Sequence, residues 1–364
     1  MSRRLVPALV LGVLVGSCSP VGSPPATTGV PAEAVDGSTT TPTVAPPRTT
    51  PVRIEAVLDV TDGVSATLSF EVPVGATVVS ILARARSPET LIQLGSLTVG
   101  GSEVTAVDPS EGRDMSRRFT EHEIVESSPG FVHEVQQDSY AFTYPFAPGW
   151  DLPAGPASLS FLVAGASELD VEVLVLGGEA RTVLPVTIFE PGESRLAQDA
   201  RSRVEDIFDR ASITVRWRTG VVPAGMPSEI DDVEDRRPGS ALHALFAAVA
   251  GRSAGGANLF VVDSLPNGLS GIASGVPGPH DGTGVAVTVT FRSPAETARL
   301  VAHEVAHLLG LRHLEDRSST GVVVRNPILD TYADAYNLMQ FGTNLTDGQI
   351  AVLRISPLLI AADD

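Results

Sequence analysis

Between Val52 and about Arg181, hydrophobic and polar side chains alternate in short runs. Examples are Ala66-Thr-Leu-Ser-Phe-Glu-Val, Ser158-Leu-Ser-Phe-Leu-Val and Leu169-Asp-Val-Glu-Val-Leu-Val-Leu, separated by Gly, Pro, Asp and Ser turns. A period of two sends successive side chains to opposite faces, so these runs predict an antiparallel β-sandwich. After Arg181 the pattern changes. Val183 to Phe189, Ile213 to Arg218, Leu259 to Val262 and Val285 to Phe291 read as strands, whereas Glu193 to Arg210 and Ala241 to Ala250 have helical spacing. Strands alternating with helices mark a second unit of mixed α+β character, beginning near residue 182. A chain of 364 residues has room for two such cores.

Both patterns fade before Val52. Ser19 to Pro51 is built from Pro, Thr, Ser, Gly and Ala with almost nothing large to bury, which makes it a flexible or extended tether. Ahead of it, Arg3 and Arg4 precede the apolar run Leu5 to Val15 and the small residues Gly16 and Ser17, the layout of a secretory signal. That apolar run is too short to span a membrane, which takes about 20 residues. Cys18 follows and is the chain's one cysteine, so no disulfide framework is available and stability must come from the cores. The net charge is −18, from 43 acidic against 25 basic residues, with no Lys/Arg run outside the extreme N-terminus. Nucleic acid is therefore not an expected partner.

Chemistry concentrates in His303-Glu-Val-Ala-His-Leu-Leu-Gly-Leu-Arg-His313, which holds three of the seven histidines. Ser293-Pro-Ala-Glu296 has the form of a helix start: Ser as N-cap, Pro at the first helical position, and Glu completing a capping box. The helix this predicts runs from Pro294 to about Leu309. On it His303 and His307 are four residues apart and leave one face, while Glu304 is turned about 100° away, free to act on a water without being a ligand. Gly310 can stop the helix in a left-handed cap and let the chain bring His313 back. Three neutral nitrogens and an open fourth position describe one catalytic zinc ion. Structural zinc sites are normally closed by four ligands that include cysteine, and no cysteine follows position 18.

Other candidates are weaker. The acidic stretch Glu229-Ile-Asp-Asp-Val-Glu-Asp235 offers carboxylates but lacks EF-hand spacing, so calcium has no support and a solvated loop is expected. His280 reads as a loop residue and His243 as a helix residue; His122 and His133 fall in the sandwich segment and are assigned no chemistry.

His303, Glu304, His307, Gly310 and His313 match every specified position of HExxHxxGxxH, and the chain in this respect resembles the metzincin clan of zinc metalloproteases. The resemblance implies that the three histidines bind zinc, that Glu304 is the catalytic base, and that Met339 in Tyr336-Asn-Leu-Met-Gln340 forms a methionine turn beneath the metal. It also implies a closing helix, for which Thr346-Asp-Gly-Gln349 supplies a capping box ahead of Ile350 to Arg354. Some metzincins carry a further zinc-binding tyrosine two residues after the methionine; Phe341 stands there, and Tyr336 is left open as a replacement. Metzincins bind peptides antiparallel to an edge strand, a part that Gly284 to Phe291 suits through alternating Val285, Val287 and Val289. Leu14-Val-Gly-Ser-Cys18 in turn resembles a bacterial lipobox, with Val15 where leucine is usual, and implies a Cys18 that is diacylated as the mature N-terminus.

The expected layout is then a signal peptide (1–17), a tether beginning at acylated Cys18 (18–51), an all-β sandwich (52–181) and a metzincin-like protease domain with a mixed sheet and an active-site helix (182–364). The expected function is zinc-dependent hydrolysis of protein or peptide substrates by an exported chain anchored to the cell envelope, in an oligomeric state the sequence does not reveal. A rival of another class is a catalytically silent surface adhesin. Retention of Glu304 argues against it, because a degenerate site is expected to lose its base first.

Overall fold

The computed structural model describes residues 51–87, 90–106, 136–137, 139–145, 152–177, 181–232, 240–249, 256–274, 284–313, 315–317, 323–325, 328, 330–331 and 336–362. The expectations for the leader, the tether and Cys18, for His122, His133 and His280, and for Val233 to Asp235 lie outside the described residues.

The first part of the chain is made of strands: β1 (Val52–Thr61), β2 (Val64–Ser65), β3 (Leu68–Val72), β4 (Ala76–Ala85), β5 (Leu91–Val99), β6 (Ser102–Ala106), β7 (Gln136–Gln137), β8 (Ser139–Tyr144), β9 (Gly155–Ala164) and β10 (Glu168–Gly177). All their pairings are antiparallel, in the order β6-β5-β9-β2-β1-β10-β4-β8, with β3 on β9 and β7 on β5. The period of two explains the packing. In β10, Leu169, Val171, Val173 and Val175 are buried, while Asp170 and Glu168 face out and hold Arg86 in exposed ion pairs. The inward side chains of β4, β5, β8, β9 and β10 form one apolar cluster, in which Tyr140 of β8 meets Phe161 of β9 edge to face.

The rest of the molecule is mixed α+β. Strands β11 (Val183–Phe189), β12 (Thr214–Thr219), β13 (Ala257–Val262), β14 (Gly271–Ala273) and β15 (Val285–Thr288) form a sheet ordered β12-β11-β13-β15-β14. The first four are mutually parallel and β14 runs antiparallel to β15. A short hairpin, β16 (Glu315–Arg317) with β17 (Val323–Arg325), stands apart.

Among the described residues four α-helices accompany the sheet: α1 (Gln198–Asp209), α2 (Ala241–Ala247), α3 (Pro294–Leu308) and α4 (Asp347–Arg354). All six residues of β13 are buried, as expected of a parallel strand covered on both faces. Leu259 and Val261 join α1, α3 and Met339 on one face; Phe260 and Val262 join α2 on the other.

Helix α2 ends at Ala247 and strand β12 runs one residue later than expected, and two further boundaries differ for a visible local reason. Helix α1 begins at Gln198, not Glu193, because the Asp263 carboxylate accepts the backbone N–H groups of Glu193 and Ser194 and holds that stretch as a loop. Strand β15 stops at Thr288, where the chain turns with Phe291 at φ +63°.

The expected substrate edge needs a larger correction. Gly284, Val285, Val287 and Val289 do not form an edge: β15 lies between β13 and β14, and its backbone is paired on both sides. Val285 and Val287 point into the core beneath α3. Alternation in a sequence shows which face is buried; it does not tell an inner strand from an outer one. On this side of the sheet the outermost described strand is β14.

Candidate metal centre

Helix α3 starts as its sequence demands. The Ser293 side chain accepts from Glu296 N–H, and the Glu296 carboxylate accepts from Ser293 N–H at 2.9 Å. From Thr297 to Leu308 every residue but Arg299 is buried, so the helix runs through the core and carries His303, Glu304 and His307 with it.

Its end sets the third histidine. Gly310 at φ +114° donates to His307 O at 2.9 Å, and Leu311 N–H donates to Ala306 O at 2.9 Å, the two bonds of a Schellman cap. The chain then reverses. The Nε2 atoms of His303, His307 and His313 end 3.1 Å from one another.

Two backbone carbonyls orient the helical pair. His303 Nδ1 lies 2.7 Å from Leu338 O, and His307 Nδ1 lies 2.7 Å from Leu311 O. A carbonyl can only accept, so both Nδ1 atoms carry the proton and both Nε2 atoms present lone pairs. Burial then holds both rings neutral: it pushes His303 down to about 3, helped by nearby His313, and His307 well below its ordinary value, helped by His303 and His313.

Two bare lone pairs 3.1 Å apart have no proton to share between them, an arrangement that a bound cation would satisfy. A tetrahedral zinc with Zn–N of about 2.0–2.1 Å separates its nitrogens by roughly 3.3–3.4 Å, close to the observed triangle. The donor set therefore fits zinc. Among the described residues these three form a group whose ligand atoms lie within 4.8 Å of one another.

Glu304 is fully buried, and neither carboxylate oxygen has a hydrogen-bond partner among the described residues. Desolvation raises its pKa well above the usual carboxylate range. Gly271 of β14 lies against it: a Cβ there would come within 2.7 Å of Glu304 Cγ and Oε1. The described edge strand and the expected base are thus in direct contact, a relation that no sequence spacing signals.

Met339 is buried in the same core as α3, in the turn that supplies Leu338 O. Tyr336 and Phe341, flanking that turn, are both largely exposed. Sequence reading missed Asn337, fully buried beside Met339; an Asn at a turn was the available signal. Gln349 was read as half of a capping box, which it forms with Thr346, but its side chain also bonds Asn337. His243 is not in the metal-ligating group found among the described residues: its backbone N–H donates to the α2 N-cap Ser240.

No protein-family model and no curated protein matches this sequence. Among solved structures the chain is similar to metalloproteinase-II from Bacteroides fragilis, at 17% identity over 51% of this chain and 51% of that one, with a TM-score of 0.30. It is similar also to archaemetzincin from Methanopyrus kandleri, at 17% identity over 50% of this chain and 89% of that one, with a TM-score of 0.28. A third likeness, to dimeric latent PorU from Porphyromonas gingivalis, has 10% identity over 37% and 14% of the two chains and a TM-score of 0.14. This chain thus spans about half the length of metalloproteinase-II. At such TM-scores the likenesses carry no argument about it, and the functional reading rests on its own residues.

Proposed function

We propose that the chain is a zinc-dependent endopeptidase, exported and tethered to the bacterial cell envelope through a diacylated Cys18. One observation carries the catalytic part: three imidazole Nε2 atoms converge at 3.1 Å, and the residue next in sequence to one of them, Glu304, is a buried carboxylate with no hydrogen-bond partner among the described residues. His303, His307 and His313 would hold the metal. Bound zinc would supply Lewis acidity, polarising a peptide carbonyl and lowering the pKa of water to about 7.

The chain's own residues do the rest. Glu304 takes one proton from the attacking water as its oxygen bonds to the peptide carbon, and returns that proton to the nitrogen as the C–N bond breaks. Leu338 O and Leu311 O keep two rings from turning while this happens. An extended substrate pairs with β14, whose Gly271 packs directly against Glu304 and so brings that strand next to the base. Met339 joins the apolar cluster to which α3 belongs. Support for the tether is the sequence alone.

Glu304→Gln tests the mechanism, because the amide keeps shape and polarity but cannot accept the proton. Cleavage of an unstructured protein is expected to fall at least a hundredfold with zinc content unchanged. Retained cleavage would overturn the proposal.

A further inference from the structure

Asn337 and Gln349 are both fully buried, and their amides are paired twice: Asn337 Nδ2 donates to Gln349 Oε1 at 2.8 Å, and Gln349 Nε2 donates to Asn337 Oδ1 at 2.9 Å. Neither amide is free to flip. Gln349 Oε1 also accepts Thr346 N–H at 3.1 Å, and Asn337 Oδ1 also accepts Met339 N–H at 2.9 Å. Exchanging O and N in either side chain would set donor against donor.

Met339 N–H and Leu338 C=O belong to a single peptide group. On one side of that group stands Asn337 Oδ1; on the other, Leu338 O faces His303 Nδ1 at 2.7 Å. A continuous chain of hydrogen bonds therefore runs from His303 Nδ1–H to Leu338 O, from Met339 N–H to Asn337 Oδ1, and from Asn337 Nδ2–H to Gln349 Oε1. Each amide along it accepts at its oxygen and donates at its nitrogen, so each bond polarises the next in the same direction.

We infer that Asn337 and Gln349 are positioning residues for the metal centre: together they fix and polarise the Leu338–Met339 peptide, so that its carbonyl holds His303 in the Nδ1–H form with Nε2 directed at the metal. This rests on the zinc reading above for its consequence, though not for its geometry. Partners of this kind outside the ligand set typically change metal affinity by tenfold to a hundredfold. The pair also ties the closing helix to the metal site, since Gln349 belongs to α4 and its capping box as well as to the relay.

The test uses the full chain carrying ¹⁵N-labelled histidine, with Gln349→Met and Asn337→Ala. Gln349→Met keeps the side-chain length but removes the acceptor of Asn337 Nδ2–H. Asn337→Ala removes the acceptor of Met339 N–H. Imidazole ¹⁵N shifts in metal-free protein should show His303 wholly Nδ1-protonated in the wild type and mixed in the variants. Zinc affinity, from competition with a chelator, should fall tenfold to a hundredfold in both. Variants that fold yet keep the wild-type tautomer and zinc affinity would overturn the inference. If neither variant folds, hydrogen exchange in the wild type decides: strong protection at both Met339 N–H and His303 Nδ1–H supports the relay, and exchange at the solvent rate at either rejects it. A wild type that binds no zinc would sink the metal reading, while the tautomer measurement would still judge the relay.

Discussion

Gly310 shows how much of the centre hangs on a single backbone angle. Its φ of +114° is costly for any residue with a Cβ, and nothing crowds the position, the nearest atom to a built Cβ being Val352 Cγ1 at 3.5 Å. Gly310→Ala is thus expected to lower stability by about 1–2 kcal/mol through backbone strain alone and to weaken zinc binding by displacing His313, as read by urea denaturation and chelator competition. The buried titratable groups set the acid response of the metal-free chain. His303 has its folded pKa lowered to about 3, against about 6.5 when unfolded, so the unfolded state takes up the proton first and stability falls as pH drops through this window. His307 acts in the same sense. Glu304 has a raised folded pKa, which adds stability as pH falls towards the unfolded value of about 4.5 and opposes the histidines above it. Below about pH 4.5 the histidines act without that opposition, and urea midpoints measured with chelator present should drop steeply between pH 4.5 and 3.

Among elements, α3 is the organising one, since it packs on α1, β14 and β15 and carries two of the three histidines together with Glu304. Its start was legible from Ser293, Pro294 and Glu296 because capping is local chemistry between residues three apart. Ser293→Ala is expected to cost about 1 kcal/mol of stability, measured by urea denaturation, while leaving zinc affinity near wild type. The cap lies more than two helical turns from His303, and the intervening core contacts hold the helix in place. The substrate edge was not legible in the same way. Val285 and Val287 alternate because one face of β15 is packed under α3, and only the pairing of β14 outside β15 shows which strand borders the sheet.

At the scale of the whole molecule, the buried apolar residues of β1 to β10 form one cluster, and those of β11 to α4 form two others. No helix among the described residues is long and apolar enough to cross a membrane. The attachment proposed would come through Cys18. Cys18→Ala is expected to move the chain from the membrane fraction to the soluble fraction without changing its zinc-dependent cleavage of a soluble substrate. Membrane association that persists in the variant would rule out the lipid anchor.

Features that depend on neighbours a few residues apart were legible along the chain. They include the capped helix, the i and i+4 histidines, the glycine that reverses the chain and the switch from period two to mixed strand and helix, because each follows from local backbone geometry and side-chain spacing. Tertiary structure alone decided which strand lies outermost, that Gly271 covers Glu304, and that an amide pair from two distant segments holds the peptide facing His303. Those relations join residues 12 to 35 positions apart through packing and hydrogen bonds, and no periodicity along the chain encodes such a distance.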